Sequence, residues 1–108
     1  MTFLQTTLLA ASIWMPAQAA TDAKVDYLRD VKPILASRCY ACHGAIKQKA
    51  GLRLDTVAFM KEGGDHGMTL VPGKADDSLL LKHVVEIKGH KRMPPELDGE
   101  ALKPAQIA

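Results

Sequence analysis

Two cysteines and a histidine lie close together in the run Cys39-Tyr40-Ala41-Cys42-His43. Cysteines separated by two positions and followed at once by histidine are typical of a c-type haem attachment site. The spacing suits this chemistry because two thiols about one helical turn apart can each form a thioether with one porphyrin. The adjacent imidazole then lies where it can ligate the iron. We predict one covalently bound haem c per chain, with Cys39 and Cys42 as thioether residues and His43 as the proximal iron ligand.

Three other interpretations of this motif remain open. A structural zinc site needs four nitrogen or sulfur ligands, and the chain has no third cysteine. A thioredoxin-like Cys-x-x-Cys site is expected beside a βαβ pattern, which the sequence lacks. A plain disulfide, or a non-haem metal site that adds a histidine, would also use both thiols. The export signal described below favours haem.

Length and composition indicate a single domain of 108 residues. Acidic and basic residues are mixed along the chain, and the formal net charge is +2, which provides no basic stripe for nucleic acid. Aromatic residues make up 5% of the chain, so the protein's own core is small. Small domains of this kind usually need an additional stabilising element such as a disulfide or a metal, and a covalent haem would provide one.

The first segment, residues 1–19, is predicted to be a signal peptide. Residues 8–15 are apolar but too few to span a bilayer, Pro16 interrupts them, and Ala17-Gln18-Ala19 forms a small-x-small cleavage site. Cleavage after Ala19, or one residue later, would leave a mature periplasmic protein over residues 20–108 with no stable membrane insertion. Residues 1–7 contain no lysine or arginine, so an uncleaved N-terminal anchor is the alternative.

Helical patterns flank the cysteine motif. Asp30 is the expected N-cap of a helix that includes Pro33 in its first turn and ends at Arg38. A lead-in over residues 25–28 is expected to be extended. A second helix is predicted over residues 56–61, stopped by Gly63, with three candidates for its buried side: Val57, Phe59 and Met60.

Two further helices are predicted downstream. Asp76 or Asp77 is expected to cap a helix over residues 78–85, whose leucine and valine side chains would bury most of one side. Pro104 is expected to begin a last helical turn, with Gln106 as its capping residue. One turn is too short to be stable alone. We therefore expect that a final helix is largely missing and that the sequence is a fragment; a natural end with a frayed tail is the alternative.

The second iron ligand is predicted to be Met93. Pro94 and Pro95 follow it and restrict the backbone before any ligand binds, which lowers the entropic cost of holding the thioether on iron. Met60 fits a core position better, and Met68 lies in a loop with nothing to stiffen it. A histidine ligand and an open site are the alternatives, and the candidate histidines are His66, His83 and His90.

Basic residues suggest two further contacts. The guanidinium of Arg53 matches the fork of a haem propionate, although a locally paired or solvated arginine explains it equally simply. A basic rim that steers an acidic redox partner is a second hypothesis, against ordinary solubilising charge. Its candidate members are Lys47, Lys49, Lys88, Lys91 and Arg92.

Several motifs in one order resemble the planctomycete-type cytochrome c domain, a relative of the small single-haem, class I-like cytochromes c. They are residues 31–35, the cysteine motif with Gly44, residues 51–55, 71–73, 78–80 and Met93-Pro94-Pro95. The resemblance implies an all-α cytochrome c-like domain of short helices around one covalent haem, with the haem core at about residues 27–107. It also implies thioethers at Cys39 and Cys42, proximal ligation by His43 and distal ligation by Met93. In many members this domain is the N-terminal module of a longer exported protein.

These observations predict a periplasmic single-electron carrier, or the haem domain of a larger multidomain protein, rather than an enzyme. Its partner would be a redox protein or a further domain of a longer chain. Two closed axial positions argue against peroxide or dioxygen chemistry at the iron. A haem enzyme with an open distal site, for peroxidase chemistry or gas binding, is the competing hypothesis.

Overall fold

A computed structural model describes residues 24–108, and the predicted signal segment lies outside them. The described chain is helical, which confirms the all-α prediction. A π-helical segment, Tyr27–Val31, leads into α1, Lys32–Arg38. The other helices are α2, Val57–Glu62, α3, Leu79–Val84, and α4, Pro104–Ile107; short 3₁₀ turns lie at Lys49–Gly51 and Ala75–Asp77. Within residues 24–108, no helix is both long and apolar enough to cross a membrane.

The first helical region begins a turn earlier than the sequence predicts, and Asp30 does not cap it. Asp26 is the N-cap, since its carboxylate accepts a hydrogen bond from the Arg29 backbone N–H at 2.8 Å. Asp30 lies inside the first turn, where it accepts from the Asp26 N–H at 2.9 Å and pairs with the Arg29 guanidinium at 2.7 Å. This reciprocal arrangement satisfies two helix N–H groups and extends the helix back to Tyr27. The end of α1 at Arg38 agrees with the prediction.

Helix α2 follows the predicted boundaries closely. Thr56 is its N-cap, with its hydroxyl accepting from the Phe59 N–H at 3.2 Å. Gly63 ends the helix with a φ of 77°, a conformation that glycine adopts at low cost. Met60 is buried and Phe59 is half-buried, as predicted, but Val57 is exposed because it lies on the solvent side of this short helix.

Helix α3 is not capped by either of the two predicted aspartates. Asp76 and Asp77 lie in the preceding 3₁₀ turn and are exposed. Ser78 occupies the N-cap position, and its buried hydroxyl accepts from the Val71 N–H at 2.9 Å and donates to the Lys74 carbonyl at 3.1 Å. The hydroxyl thus closes the 71–78 turn instead of capping the helix.

The core of the described chain is small. Its buried apolar side chains are Leu35, Leu54 and Met60, with exposures of 6%, 2% and 4%. Partly buried side chains surround them: Tyr27, Val31, Cys39, Tyr40, Leu52, Leu70 and Leu80. Helix α4 begins at Pro104 as predicted, and Gln106 caps it by accepting from the Lys103 N–H at 2.8 Å.

Leu54→Ala is expected to lower the free energy of unfolding by about 2–5 kcal/mol, because it leaves a cavity in a core with few other side chains to fill it. Urea unfolding of the haem-loaded protein measures the change. Leu97→Ala is the matched control, since Leu97 is 99% exposed. Equal effects of the two substitutions would contradict the described core.

Acid is expected to remove the contribution of Asp30 to stability. The Arg29 guanidinium, helped by the Asp26 N–H, lowers the pKa of Asp30 to about 2. A carboxylate with a lowered pKa in the folded state stabilises the protein above its unfolded pKa of about 3.9 and stops doing so as the pH falls through the folded value. The urea midpoints of wild type and Asp30→Asn should therefore differ at pH 5 and converge by about pH 2. Asp98→Asn, which changes an exposed carboxylate with no side-chain hydrogen bond, should show no such convergence.

Candidate haem site

The cysteine motif forms a tight turn directly after α1. The Cys39 N–H donates to the Leu35 carbonyl at 2.8 Å, so the first cysteine continues the helical bonding of α1. The His43 N–H donates to the Cys39 carbonyl at 2.9 Å, and the Cys42 N–H donates to the same oxygen at 3.2 Å. These bonds hold the backbone of residues 39–43 in a single turn that continues α1.

The segment that follows holds the turn from its other side. The Lys49 N–H donates to the Cys42 carbonyl at 2.9 Å, and the Leu54 N–H donates to the His43 carbonyl at 2.9 Å. His43 also forms an isolated bridge with Gln48. Because Leu54 is the most buried residue of the core, the backbone of His43 is tied directly to the protein interior.

Gly44 is required where the motif ends. It is buried, and a Cβ atom at this position would lie 2.5 Å from the carbonyl oxygen of Tyr40. Real Cβ atoms do not approach a backbone oxygen this closely, so a larger residue would force the motif turn to move. Gly44 therefore belongs to the structure of the site although it carries no reactive group.

The thiols and the imidazole of the motif have no other bonding partner in the described structure and could bind a cofactor. Both thiols are free and half-buried, and burial raises the pKa of Cys39 above its usual range. The Nδ1 atom of His43 is buried and has no hydrogen-bond partner in the described structure. An orphaned imidazole nitrogen is costly to bury, and ligation or a partner brought with a cofactor would remove that cost. These residues fit a c-type haem.

A mainly apolar groove of about 230 Å³ opens beside the motif, between α1, α3 and α4. Cys39 is the one predicted site residue on its wall; Cys42, His43, Met93 and Arg53 do not line it. The groove would therefore receive an apolar face near the first thioether. Its lining residues are Val31, Ile34, Leu35, Cys39, Leu70, Ala75, Ser78, Leu80, Leu81, Val84, Leu102, Gln106 and Ile107.

Met93, the predicted distal ligand, lies in a loop that is anchored to α3. Its N–H donates to the carbonyl of His83 at 3.1 Å, and the side chain is half-buried next to buried Pro94. Met60 belongs to the core, as predicted, and Met68 is 56% exposed. Of the methionines in residues 24–108, Met93 thus combines partial burial with an anchored backbone.

Arg53 is engaged locally. Its guanidinium donates to both carboxylate oxygens of Asp55, at 3.0 and 2.7 Å, and lies 3.9 Å from the centroid of the Phe59 ring. The hydrogen bonds from Arg53 lower the pKa of Asp55. These contacts match the local pairing named as the alternative in the sequence analysis, and a propionate contact would have to share the guanidinium with Asp55.

Two arginines and a histidine have roles that the sequence did not reveal. Arg92 donates to the carbonyls of Pro94 at 2.9 Å and Gly99 at 2.6 Å, so it is not a free member of a basic rim. Arg38 donates to the carbonyl of Glu100 at 3.3 Å. The His83 Nδ1 atom lies 2.6 Å from the carbonyl oxygen of Lys91. The acceptors are all backbone oxygens of a loop, and side-chain patterns carry no signal for them.

The phenol of Tyr40 is a second buried polar group near the motif. Its hydroxyl has no hydrogen-bond partner in the described structure, and burial raises its pKa, with a smaller contribution from the nearby Tyr27. No sequence pattern marks the burial of this hydroxyl in advance.

The fold and this site define a small helical domain with one thiol-thiol-imidazole turn beside an apolar groove. A family model described as planctomycete cytochrome C matches residues 39–96, more than half of the 108 residues. The chain belongs to this family. The match spans the cysteine motif, the core residues Leu54 and Met60, and the Met93 loop. Neither a curated protein nor a solved structure matches the chain.

Gly44→Ala is expected to destabilise the protein by about 1–3 kcal/mol and to reduce covalent haem per chain, because the added methyl group displaces the Tyr40 carbonyl inside the motif. Urea unfolding and a haem stain on a denaturing gel measure the two effects. Gly99→Ala is the control, since its Cβ would lie 3.6 Å from the nearest side-chain atom. Normal stability and full haem loading in Gly44→Ala would show that the turn tolerates the larger residue.

Proposed function

We propose that this protein is an exported mono-haem c-type cytochrome that transfers single electrons through a His43/Met93-ligated iron. The observation that carries the proposal is the motif turn. Backbone hydrogen bonds hold residues 39–43 in one turn, and Cys39 lies on the wall of an apolar groove. The Nδ1 atom of His43 is buried and has no hydrogen-bond partner in the described structure. Membership of the cytochrome c family supports haem binding and electron transfer. A haem bound there supplies an iron that gains or loses one electron.

The thiols of Cys39 and Cys42 would hold the haem in covalent attachment, and His43 would hold the iron on the proximal side. The hydrogen bond from Leu54 fixes the backbone of His43 and would help to keep its imidazole in position. A histidine and methionine pair favours a higher potential than a pair of histidines. Apolar side chains of α1 and α3 would keep water away from one haem face.

The proposed site of action is the periplasm, after removal of residues 1–19. The partner would be a redox protein or a further domain of a longer chain. Lys47 and Lys49 lie on the exposed loop that follows the motif, beside fully exposed Ile46, and would meet an acidic partner. A propionate contact by Arg53 remains a prediction from its side-chain type, because its guanidinium is already paired with Asp55.

Met93→Ala is expected to abolish the weak far-red band of the oxidised protein, because that band requires a thioether sulfur on the iron. Optical spectra of the purified oxidised and reduced haem protein provide the measurement. Met68→Ala is the matched control, since Met68 is exposed. Survival of the band in Met93→Ala would assign the distal ligand to another methionine.

Carbon monoxide separates the electron carrier from a haem enzyme. A closed distal position predicts slow or incomplete binding to the reduced wild type and faster binding to Met93→Ala. Rapid, complete binding by wild type would instead indicate an open distal site. Colourless protein from a host that matures c-type cytochromes would rule out haem function altogether and leave a non-haem metal or redox module.

A further inference from the structure

The loop that carries Met93 is attached to the body of the protein through one residue of α3. Both hydrogen bonds involve His83: its carbonyl accepts from the Met93 N–H at 3.1 Å, and its ring Nδ1 contacts the Lys91 carbonyl at 2.6 Å. The Lys91 oxygen can only accept, so the Nδ1 atom must carry the proton and donate. His83 therefore fixes the backbone on both sides of Arg92, immediately before the predicted ligand.

The surrounding contacts show what this attachment controls. Arg92 donates to the carbonyls of Pro94 and Gly99. Both acceptors lie in the same loop as Arg92, so these bonds stabilise the loop internally and do not attach it to α3. Arg38 reaches the Glu100 carbonyl from the end of α1, at a longer 3.3 Å. Among the described hydrogen bonds, those of His83 alone connect the 91–93 segment to a helix that lines the groove.

We infer that His83 is the positioning residue for Met93, and that its ring donor sets how readily another ligand displaces the thioether from the iron. This inference rests on the proposed His/Met ligation. A net hydrogen bond of ordinary strength corresponds to about a fivefold change in an equilibrium constant. Without the His83 Nδ1–H donor, the Met93 loop would spend a larger fraction of the time away from the iron. The apparent affinity for an external ligand would rise in proportion to that fraction.

His83 is not itself assigned to the iron. Its Nδ1 atom is already engaged by the Lys91 carbonyl. Its ring packs edge-on against His90, with centroids 5.2 Å apart. A histidine with one ring nitrogen on a carbonyl can still ligate through the other, so the test must separate a positioning residue from a ligand.

Two substitutions of His83 distinguish the donor from the ring. His83→Phe keeps a planar ring but removes the donor, whereas His83→Asn places an amide N–H close to the position of Nδ1. The oxidised haem protein is titrated with imidazole, and loss of the far-red band reports displacement of the methionine. We expect the apparent imidazole affinity to rise about fivefold in His83→Phe. It should return towards the wild-type value in His83→Asn.

His90→Phe is the matched control, because it changes the other ring of the edge-on pair and should leave imidazole affinity unchanged. Hydrogen exchange of the Met93 amide gives a readout independent of the iron, with faster exchange expected in His83→Phe alone. Wild-type imidazole affinity in His83→Phe, or no recovery in His83→Asn, would overturn the inference. Loss of the six-coordinate spectrum in both His83 variants, with no effect of Met93→Ala, would identify His83 as the ligand and overturn it also.

Failure of the underlying proposal is recognisable in the unmodified protein. If wild type lacks the far-red band, His/Met ligation is wrong before any His83 variant is considered. If wild type shows the band and Met93→Ala loses it, the His83 titrations bear on the positioning role by itself.

Discussion

Apolar side chains from α1, α3 and α4 line one groove, and this shared apolar surface is what brings the three short helices together. The three helices have seven, six and four residues. Isolated helices shorter than about 12–15 residues are marginal in water, so these need tertiary contacts to persist. The buried apolar side chains of residues 24–108 are Leu35, Leu54 and Met60, and Leu35 also lines the groove. A large apolar group held at Cys39 would add the missing contacts, which couples cofactor binding to folding.

The two proposed iron ligands are anchored in different ways. His43 is part of a turn whose carbonyls accept from Lys49 and Leu54, so its backbone is tied to the core. Met93 lies in a loop whose nearest attachment to a helix is His83. A site with one firmly held ligand and one held by a few hydrogen bonds would keep the iron in place while the distal side responds to small changes in its support.

Some of the positively charged side chains form hydrogen bonds within the protein, and others are exposed at its surface. Arg38 and Arg92 donate to backbone carbonyls, and Arg53 pairs with Asp55 while lying over Phe59. The lysines near the motif, Lys47 and Lys49, stay exposed. A count of basic residues therefore overstates the number of guanidinium and ammonium groups that are free to contact a partner. The N–H donors of these arginines are already used in hydrogen bonds within the protein.

By itself, the sequence determined the helical class, the cysteine motif at the end of α1, the boundaries of α2 at Thr56 and Gly63 and the start of α4 at Pro104. These follow from local rules of spacing, capping and chain stiffness that act within a few residues. It misplaced the cap of the first helix, because Asp26 and Asp30 can both cap and the choice depends on which backbone N–H lies in reach. It also predicted an aspartate cap for α3, where Ser78 occupies the N-cap position without a capping side-chain hydrogen bond. Only the tertiary structure decided that Ser78 closes a turn, that Arg53 is held by Asp55 and Phe59 together, and that His83 and Arg92 support the Met93 loop. The acceptors of Ser78, His83 and Arg92 are carbonyl oxygens of the backbone, which every residue possesses, so no residue type marks them in advance.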